Sequence, residues 1–281
     1  MSDLVLSQSA IDTFDRCARR FYLRYVRGLD WPAPLTSTEL EFEQAMRRGE
    51  HFHLLIQQHA LGMEVTPMVE ASGDPVLRGW WDSFLHTALT MMPENLQADF
   101  TEVELATDLD GVTLVAKFDR LTVEGSGVLR IFDWKTGLPG SRERLAQTWQ
   151  SVVYRFVAAE RGAQLLAGAE EVEIQPESVE LIYWHAREPA TPVRLPYDTG
   201  AHEQGRARLA KIVGEMASLM NAGDEEVFGR TPDEAECRHC PFRSYCERGR
   251  EAAPIMDPES MPEGEELMRL GDADGITDPE N

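Results

Sequence analysis

The spacing of apolar residues predicts three helices in the N-terminal third of the chain. The first covers residues 9–27, where apolar side chains recur every three or four positions, as on one face of a helix. These apolar positions are Ile11, Phe14, Ala18, Phe21 and Tyr25. A second stripe on the same helix is basic and consists of Arg16, Arg20, Arg24 and Arg27. The same spacing predicts two further helices, at residues 39–60 and 75–91.

The period then changes to the alternation that is typical of β-strands. Three segments rich in β-branched and apolar residues, at 101–105, 112–123 and 128–135, are separated by glycine-containing turns. Short turns between successive strands predict an antiparallel meander. The remaining predicted elements are a helix at 143–161, a strand at 178–185 and a long helix at 200–221.

Composition indicates a folded and strongly acidic protein. Of the 281 residues, 42% are hydrophobic, which is enough for a sizeable core and excludes wholesale disorder. No apolar run is long enough to span a bilayer, and the N-terminus lacks the pattern of a secretion signal. We therefore expect a soluble, cytoplasmic protein without a membrane partner. The formal net charge of −22 argues at first sight against a nucleic-acid partner.

The acidic charge is unevenly distributed along the chain. Residues 251–281 contain ten acidic residues and one basic residue, with little hydrophobic periodicity, which predicts a flexible acidic tail. Residues 1–250 are then the folded domain, and its first helix carries the arginine stripe. That stripe is either a solvated helix face or a ridge that contacts phosphates, and the residues alone leave both interpretations open.

The four cysteines have the spacing of a metal site. Cys237, Cys240 and Cys246 form a C-x2-C-x5-C cluster, and Cys17 is the one cysteine left to complete a set of four. In a protein without a secretion signal, disulfides are not expected, so the alternatives are unrelated buried thiols or one four-thiolate site. The spacing favours the site and suits either zinc or an iron–sulfur cluster. Such a site would join the two ends of the folded domain.

Carboxylates on two predicted strands are candidates for a second metal site. Asp119 falls opposite Phe132 or Asp133, depending on whether the connecting turn centres on two residues or on one. In the second register, two carboxylates lie about 4.5–5.5 Å apart at Cβ, and Lys135 shares the face of Asp133. A divalent cation held there would activate a water for hydrolysis. The alternative is an ordinary surface pair between Asp133 and Lys135.

These motifs, in this order, resemble the PD-(D/E)XK nuclease superfamily. The residues that carry the resemblance are Gly49-Glu-His-Phe-His53, Asp119, Asp133-Trp134-Lys135 and Gln150-Ser-Val-Val-Tyr154. The four-cysteine layout is similar to an iron–sulfur subgroup of the RecB-like branch, which contains the CRISPR-associated exonucleases and the AddB nuclease domain. The resemblance covers about residues 5–249. The chain departs from the family at residues 116–118, where relatives often have a glycine-containing segment.

The resemblance implies a fold and a set of residue roles. The fold is α/β, with a mixed central sheet flanked by helices and a four-cysteine cluster that joins the N-terminal helix to the C-terminal segment. The implied ligands of Mg²⁺ or Mn²⁺ are His53, Asp119, Asp133 and the backbone carbonyl of Trp134. Lys135 would be catalytic, with Gln150 and Tyr154 beside the site. Cys17, Cys237, Cys240 and Cys246 would hold a 4Fe–4S cluster, with zinc as the alternative.

The expected function is that of a metal-dependent deoxyribonuclease. We expect an exonuclease on single strands or DNA ends, in repair, recombination or CRISPR adaptation, with a helicase or an integrase as protein partner. The alternative is a non-catalytic DNA-binding or scaffolding subunit of a larger assembly. The arginine stripe is the candidate DNA-contacting surface. Either Glu102 or Glu104 is available to join the metal site, and the sequence does not choose between them.

Overall fold

Six strands form one mixed sheet in the computed structural model, which describes residues 4–29, 37–166, 174–238 and 240–248, with only the backbone of residues 37–43. The strands are β1 (Val5–Ser7), β2 (Leu96–Leu109), β3 (Val112–Glu124), β4 (Leu129–Lys135), β5 (Val179–His185) and β6 (Val193–Pro196). Strand β3 pairs antiparallel with β2 on one side, and on the other side it pairs parallel with β1 and antiparallel with β4. Strands β4 and β5 are parallel, whereas β5 and β6 are antiparallel. The predicted antiparallel meander is confirmed for β2, β3 and β4.

Helices cover both faces of this sheet. They are α1 (Gln8–Arg16), α2 (Ala18–Phe21), α3 (Ser37–Ala60), α4 (Thr66–Ser72), α5 (Pro75–Ser83), α6 (Arg142–Gln147), α7 (Trp149–Arg161) and α8 (Thr199–Ala222). Short π-helical turns follow α2 and α5 at Tyr22–Val26 and Phe84–Ala88. Turns of 3-10 helix lie at Leu89–Met91, Gly162–Leu165, Pro176–Ser178, Glu225–Val227 and Glu234–Cys237.

The sheet separates two hydrophobic cores. Side chains of α1, α7 and α8 form the first core with one face of the sheet, and side chains of α3, α4 and α5 form the second with the other. Alternation along β4 supplies both, since Ile131 lies in the first core and Phe132 and Trp134 lie in the second. The expected α/β fold, a mixed sheet flanked by helices, is therefore confirmed.

The first predicted helix, at residues 9–27, is interrupted at Cys17. Cys17 has an extended backbone that ends α1, and its N–H donates to the carbonyl of Thr13 at 3.0 Å. The N–H of Arg19 lies in the first turn after the break and donates to the carbonyl of Gly229 at 3.0 Å. A distant loop therefore satisfies a helix terminus that the break exposes.

The helix predicted at residues 143–161 is likewise two helices. Thr148 has an extended backbone and separates α6 from α7, and its hydroxyl accepts from the N–H of Ser151 at 3.2 Å as an N-cap. This cap begins α7 at Trp149 and so places Gln150 on the first turn of the helix.

One sequence-based expectation, the acidic tail at 251–281, concerns residues that lie outside the described ranges. Among the helices that the structure describes, none combines the length and apolar character needed to cross a membrane.

Candidate active site

The register between β3 and β4 brings the two aspartate positions to adjacent points of the sheet. Arg120 pairs with Phe132 at the end of the ladder between β3 and β4, as in the register that was predicted to place Asp119 opposite Asp133. Asp119 precedes Arg120 and Asp133 follows Phe132, so the two aspartates lie just beyond this last pair. The backbone N–H of Trp134 donates to Asp119 Oδ2 at 2.8 Å. Since the N–H and C=O of one strand residue point to the same side, the Trp134 carbonyl also lies on the side of Asp119.

The alternation of side chains on β3 is interrupted at Asp119. Phe118 and Leu121 both belong to the first core, although residues three apart lie on opposite faces of a regular strand. Glu102 follows Thr101, the register partner of Arg120, and has a positive φ of 52°. This left-handed backbone is uncommon for a residue other than glycine and often marks a functional site.

This irregularity groups Asp119 with residues of α3 and β2. Asp119 Oδ1 lies 3.6 Å from Nδ1 of His53 on α3. Ligand atoms of His53, Glu102 and Asp119 all lie within 4.8 Å of one another. The side chain of Asp119 is 3% exposed, and that of His53 is 16% exposed. Glu102 therefore joins the candidate site, whereas Glu104 is exposed on the same strand.

The chemistry of this group, which we call the candidate metal centre (His53, Glu102, Asp119), fits a divalent cation. Burial and the negative charge of Asp119 raise the pKa of the Glu102 carboxyl above its usual range. Two carboxylates held this close repel one another unless a cation lies between them. Carboxylate oxygens with one imidazole nitrogen form a donor set that suits Mn²⁺ and also accepts Mg²⁺.

Asp133 lies in a second group of polar side chains, on the α7 side of the sheet. Its Oδ2 pairs with Lys135 Nζ at 2.8 Å, and its Oδ1 accepts from Gln150 Nε2 at 2.9 Å. The expectation that Asp133 and Lys135 share a face is thus confirmed. Asp133 is fully buried, so the ammonium and the amide are needed to stabilise its charge.

Sequence reasoning missed Tyr183 and Ser151, which support this second group. The hydroxyl of Tyr183 on β5 lies 2.9 Å from Ser151 Oγ and donates to Gln150 Oε1 at 3.4 Å. Burial, with the nearby charge of Asp133, raises the pKa of Tyr183, so the hydroxyl keeps its proton. Tyr183 is the register partner of Asp133, and a parallel pairing of β4 with β5 in the sequence analysis would have identified it.

His185 is a further buried neighbour that the sequence analysis did not single out. It is the register partner of Lys135 and is 2% exposed. Burial and the charge of Lys135 lower its pKa to about 4, so its ring is neutral at neutral pH. The expected site residue Tyr154, by contrast, is fully buried and packs against Phe118 in the first core, with ring centroids 4.9 Å apart.

The four cysteines come from the two ends of the described domain. Cys17 lies at the break between α1 and α2, and the other three lie in the segment that ends the described residues. Burial raises the pKa of Cys240 and Cys246, and the nearby charge of Cys17 acts in the same direction on both. Among the described residues, the ligand atoms of His53, Glu102 and Asp119 lie within 4.8 Å of one another, whereas the four cysteine sulfurs do not form such a group.

Arginines of the first helical segment bind acidic residues of the C-terminal segment. Arg16 pairs with Asp12 at 2.7 Å and with Glu236 at 3.7 Å. Arg27 pairs with Glu225 at 3.3 Å, and the same carboxylate pairs with Arg19, which lies outside the predicted stripe. Arg16 and Arg27 of the stripe are thus in contact with the chain's own carboxylates.

Comparisons with known proteins agree with this fold. A family model described as the PD-(D/E)XK nuclease superfamily matches residues 5–247. The crystal structure of a candidate exonuclease from Eubacterium rectale is 13% identical, covers 91% of this chain and 93% of that chain, and has a TM-score of 0.50. The crystal structure of SSO0001 is 15% identical over 88% of this chain and 87% of that chain, with a TM-score of 0.37. None of the curated proteins matches this chain in sequence. At this level of identity, the likeness to the Eubacterium rectale protein concerns the fold.

Proposed function

Because this chain belongs to the PD-(D/E)XK nuclease superfamily, we propose that it is a divalent-metal-dependent nuclease that hydrolyses phosphodiester bonds in DNA. One observation carries the proposal. The candidate metal centre is joined to β4 through the hydrogen bond from Trp134 N–H to Asp119, directly between Asp133 and Lys135. Cation-binding and proton-handling groups are therefore adjacent, as metal-assisted hydrolysis requires.

The proposed ligands come from four elements of the fold. They are His53 of α3, Glu102 of β2, Asp119 of β3, Asp133 of β4 and the backbone carbonyl of Trp134. When bound, the cation would polarise the scissile phosphate and lower the pKa of an attacking water. The carboxylate repulsion at Glu102 and Asp119 supports this assignment, since it leaves the site ready to accept positive charge.

The residues around Asp133 would prepare the attack on phosphorus. Lys135 neutralises Asp133 at 2.8 Å and is the proposed catalytic residue, which orients the water or stabilises charge on the phosphate. Gln150 holds the other oxygen of Asp133, and its amide is fixed in turn by Tyr183. Tyr154 is proposed as a residue that positions α7 from within the core, by its packing on Phe118.

The finer features of the proposal concern substrate and context. We propose exonuclease action on single strands or DNA ends, in repair, recombination or CRISPR adaptation, beside a helicase or integrase partner. The arginines Arg16, Arg20, Arg24 and Arg27 are the proposed DNA-contacting stripe. A cytoplasmic location belongs to the same proposal, because four thiols remain reduced there. The domain would comprise residues 1–250, and residues 251–281 would form the acidic tail.

We also propose that the four cysteines hold a 4Fe–4S cluster, with zinc as the alternative. What supports one shared site is that Cys17 lies near enough to Cys240 and Cys246 for its charge to affect the pKa of both thiols. Measurement of iron, sulfide and zinc per mole of anaerobically purified protein tests this assignment, and one zinc with no iron would overturn it.

The nuclease proposal is tested with DNA labelled at the 5′ or the 3′ end, as single strands and as duplex. Wild-type protein with Mg²⁺ or Mn²⁺ should release labelled products, and chelation should stop the reaction. Asp133→Asn and Lys135→Gln should abolish cleavage, whereas Lys211→Gln on the exposed face of α8 should not. DNA binding without metal-dependent cleavage of any substrate would instead favour a scaffolding subunit. The observation that favours this second function is that Lys135 and Gln150 already contact both carboxylate oxygens of Asp133, a proposed metal ligand.

A further inference from the structure

Lys117 on β3 contacts the candidate metal centre instead of its own register partner. The Cα partner of Lys117 across the ladder is Glu104, which is exposed and of opposite charge. Directly opposed residues of opposite charge ordinarily pair with one another. Lys117 instead extends along the strand to the diagonal neighbour, and its Nζ lies 3.0 Å from Glu102 Oε2.

The surroundings of Lys117 explain why it pairs with Glu102 rather than with Glu104. Glu102 is 20% exposed and lies beside the charge of Asp119, whereas Lys117 is 43% exposed. Two neighbouring carboxylates attract a cation more strongly than the single, hydrated carboxylate of Glu104 does. The left-handed backbone at Glu102 belongs to the same local distortion. The ammonium therefore partly neutralises a pair of carboxylates that would otherwise repel.

We propose that Lys117 is a built-in counter-cation of the candidate metal centre, which a divalent cation displaces from Glu102 when it binds. This inference rests on the proposed function, because it assumes that His53, Glu102 and Asp119 take a metal ion. The charge of Lys117 stabilises the metal-free protein and, for the same reason, weakens cation binding. Lys117 thereby sets the metal concentration at which the site fills.

Removing this charge has two effects that a merely structural lysine would not combine. Lys117→Gln should lower the melting temperature of the metal-free protein, because the two carboxylates lose their counter-charge. The same variant should bind Mn²⁺ about ten-fold more tightly at low salt, because one unit of repulsion at close range is lost. The difference in affinity should shrink at high salt, since the charge of Lys117 is partly exposed.

The experiment is a calorimetric titration of DNA-free protein with Mn²⁺ alone, together with melting temperatures with and without Mn²⁺. The variants are Lys117→Gln, Lys117→Arg, which keeps the charge, and Lys211→Gln, which removes an equal charge from α8. The expected result is tighter binding by Lys117→Gln, while Lys117→Arg and Lys211→Gln resemble wild type. Unchanged or weaker binding by Lys117→Gln overturns the inference, as does equally tight binding by Lys117→Arg. If wild type and every variant bind no Mn²⁺, the proposed metal site itself is wrong.

Discussion

The carboxylate of Asp119 accepts a hydrogen bond of 2.8 Å from the backbone N–H of Trp134. Its other oxygen lies 3.6 Å from His53 Nδ1, so one side chain connects β3 with β4 and with α3. The interrupted alternation of β3 at this point makes both contacts possible. Asp119 thus has a structural role, in satisfying a buried N–H, and a proposed chemical role, in holding the cation.

The two roles of Asp119 are separable by substitution. Asp119→Asn keeps an oxygen for the Trp134 N–H but removes the charge, so stability should stay near that of wild type while Mn²⁺ affinity falls at least ten-fold. Asp119→Ala leaves the buried N–H without its acceptor and should cost about 1–3 kcal/mol of unfolding free energy as well. Urea unfolding and calorimetric titration measure the two quantities. Mn²⁺ binding by Asp119→Asn at the wild-type level would contradict the assignment of Asp119 as a ligand.

Tyr183 is expected to act on the reaction through Gln150. Tyr183→Phe removes the hydroxyl that contacts Gln150 and Ser151, which should cost about 1 kcal/mol of stability and lower kcat with little change in KM. Steady-state cleavage of labelled DNA checks this split.

A double-mutant cycle tests whether Tyr183 acts on the reaction through Gln150. If Tyr183 acts by orienting the amide of Gln150, Tyr183→Phe should reduce kcat much less in a Gln150→Ala background than in wild type. Additive losses in the double variant would mean that the hydroxyl of Tyr183 acts independently of Gln150.

His185 should make the folded protein less stable in mild acid. Its pKa is lowered from 6.5 to about 4 by burial and by Lys135, so the unfolded chain takes up a proton below pH 6.5 and the folded chain does not. Stability is therefore lost as pH falls, by about 2 kcal/mol between pH 7 and pH 5 from this residue.

Urea unfolding of wild type and His185→Gln across this pH range measures that contribution. The stability difference between the two proteins should change with pH by this amount, in favour of the variant at pH 5. A constant difference between pH 7 and pH 5 would show that His185 titrates alike in the folded and unfolded states.

Features that depend on neighbouring residues could be predicted from the sequence, whereas features that depend on contacts between distant residues could not. Alternation and turn chemistry predicted β3 and β4 and limited their pairing to two registers, one of which the structure has, because these features depend on neighbouring residues. The distortion at Glu102 and Asp119 could not be predicted, since glutamate does not favour the positive φ that Glu102 has. The break at Cys17 depends on Gly229, more than two hundred residues away in the chain, and no helix propensity contains that information.

The acidic tail should oppose non-specific binding of DNA. Residues 251–281 carry ten acidic residues and one basic residue, and the whole chain has a net charge of −22. Because DNA is a polyanion, this charge should oppose non-specific binding, and deletion of residues 251–281 should strengthen it severalfold at low salt. Binding of fluorescent duplex DNA in the presence of chelator measures the effect without cleavage. A full-length variant with the tail acids replaced by Gln and Asn should match the deletion, because charge rather than length is responsible. If that neutral tail leaves DNA affinity at the wild-type level, electrostatic screening by the tail is excluded.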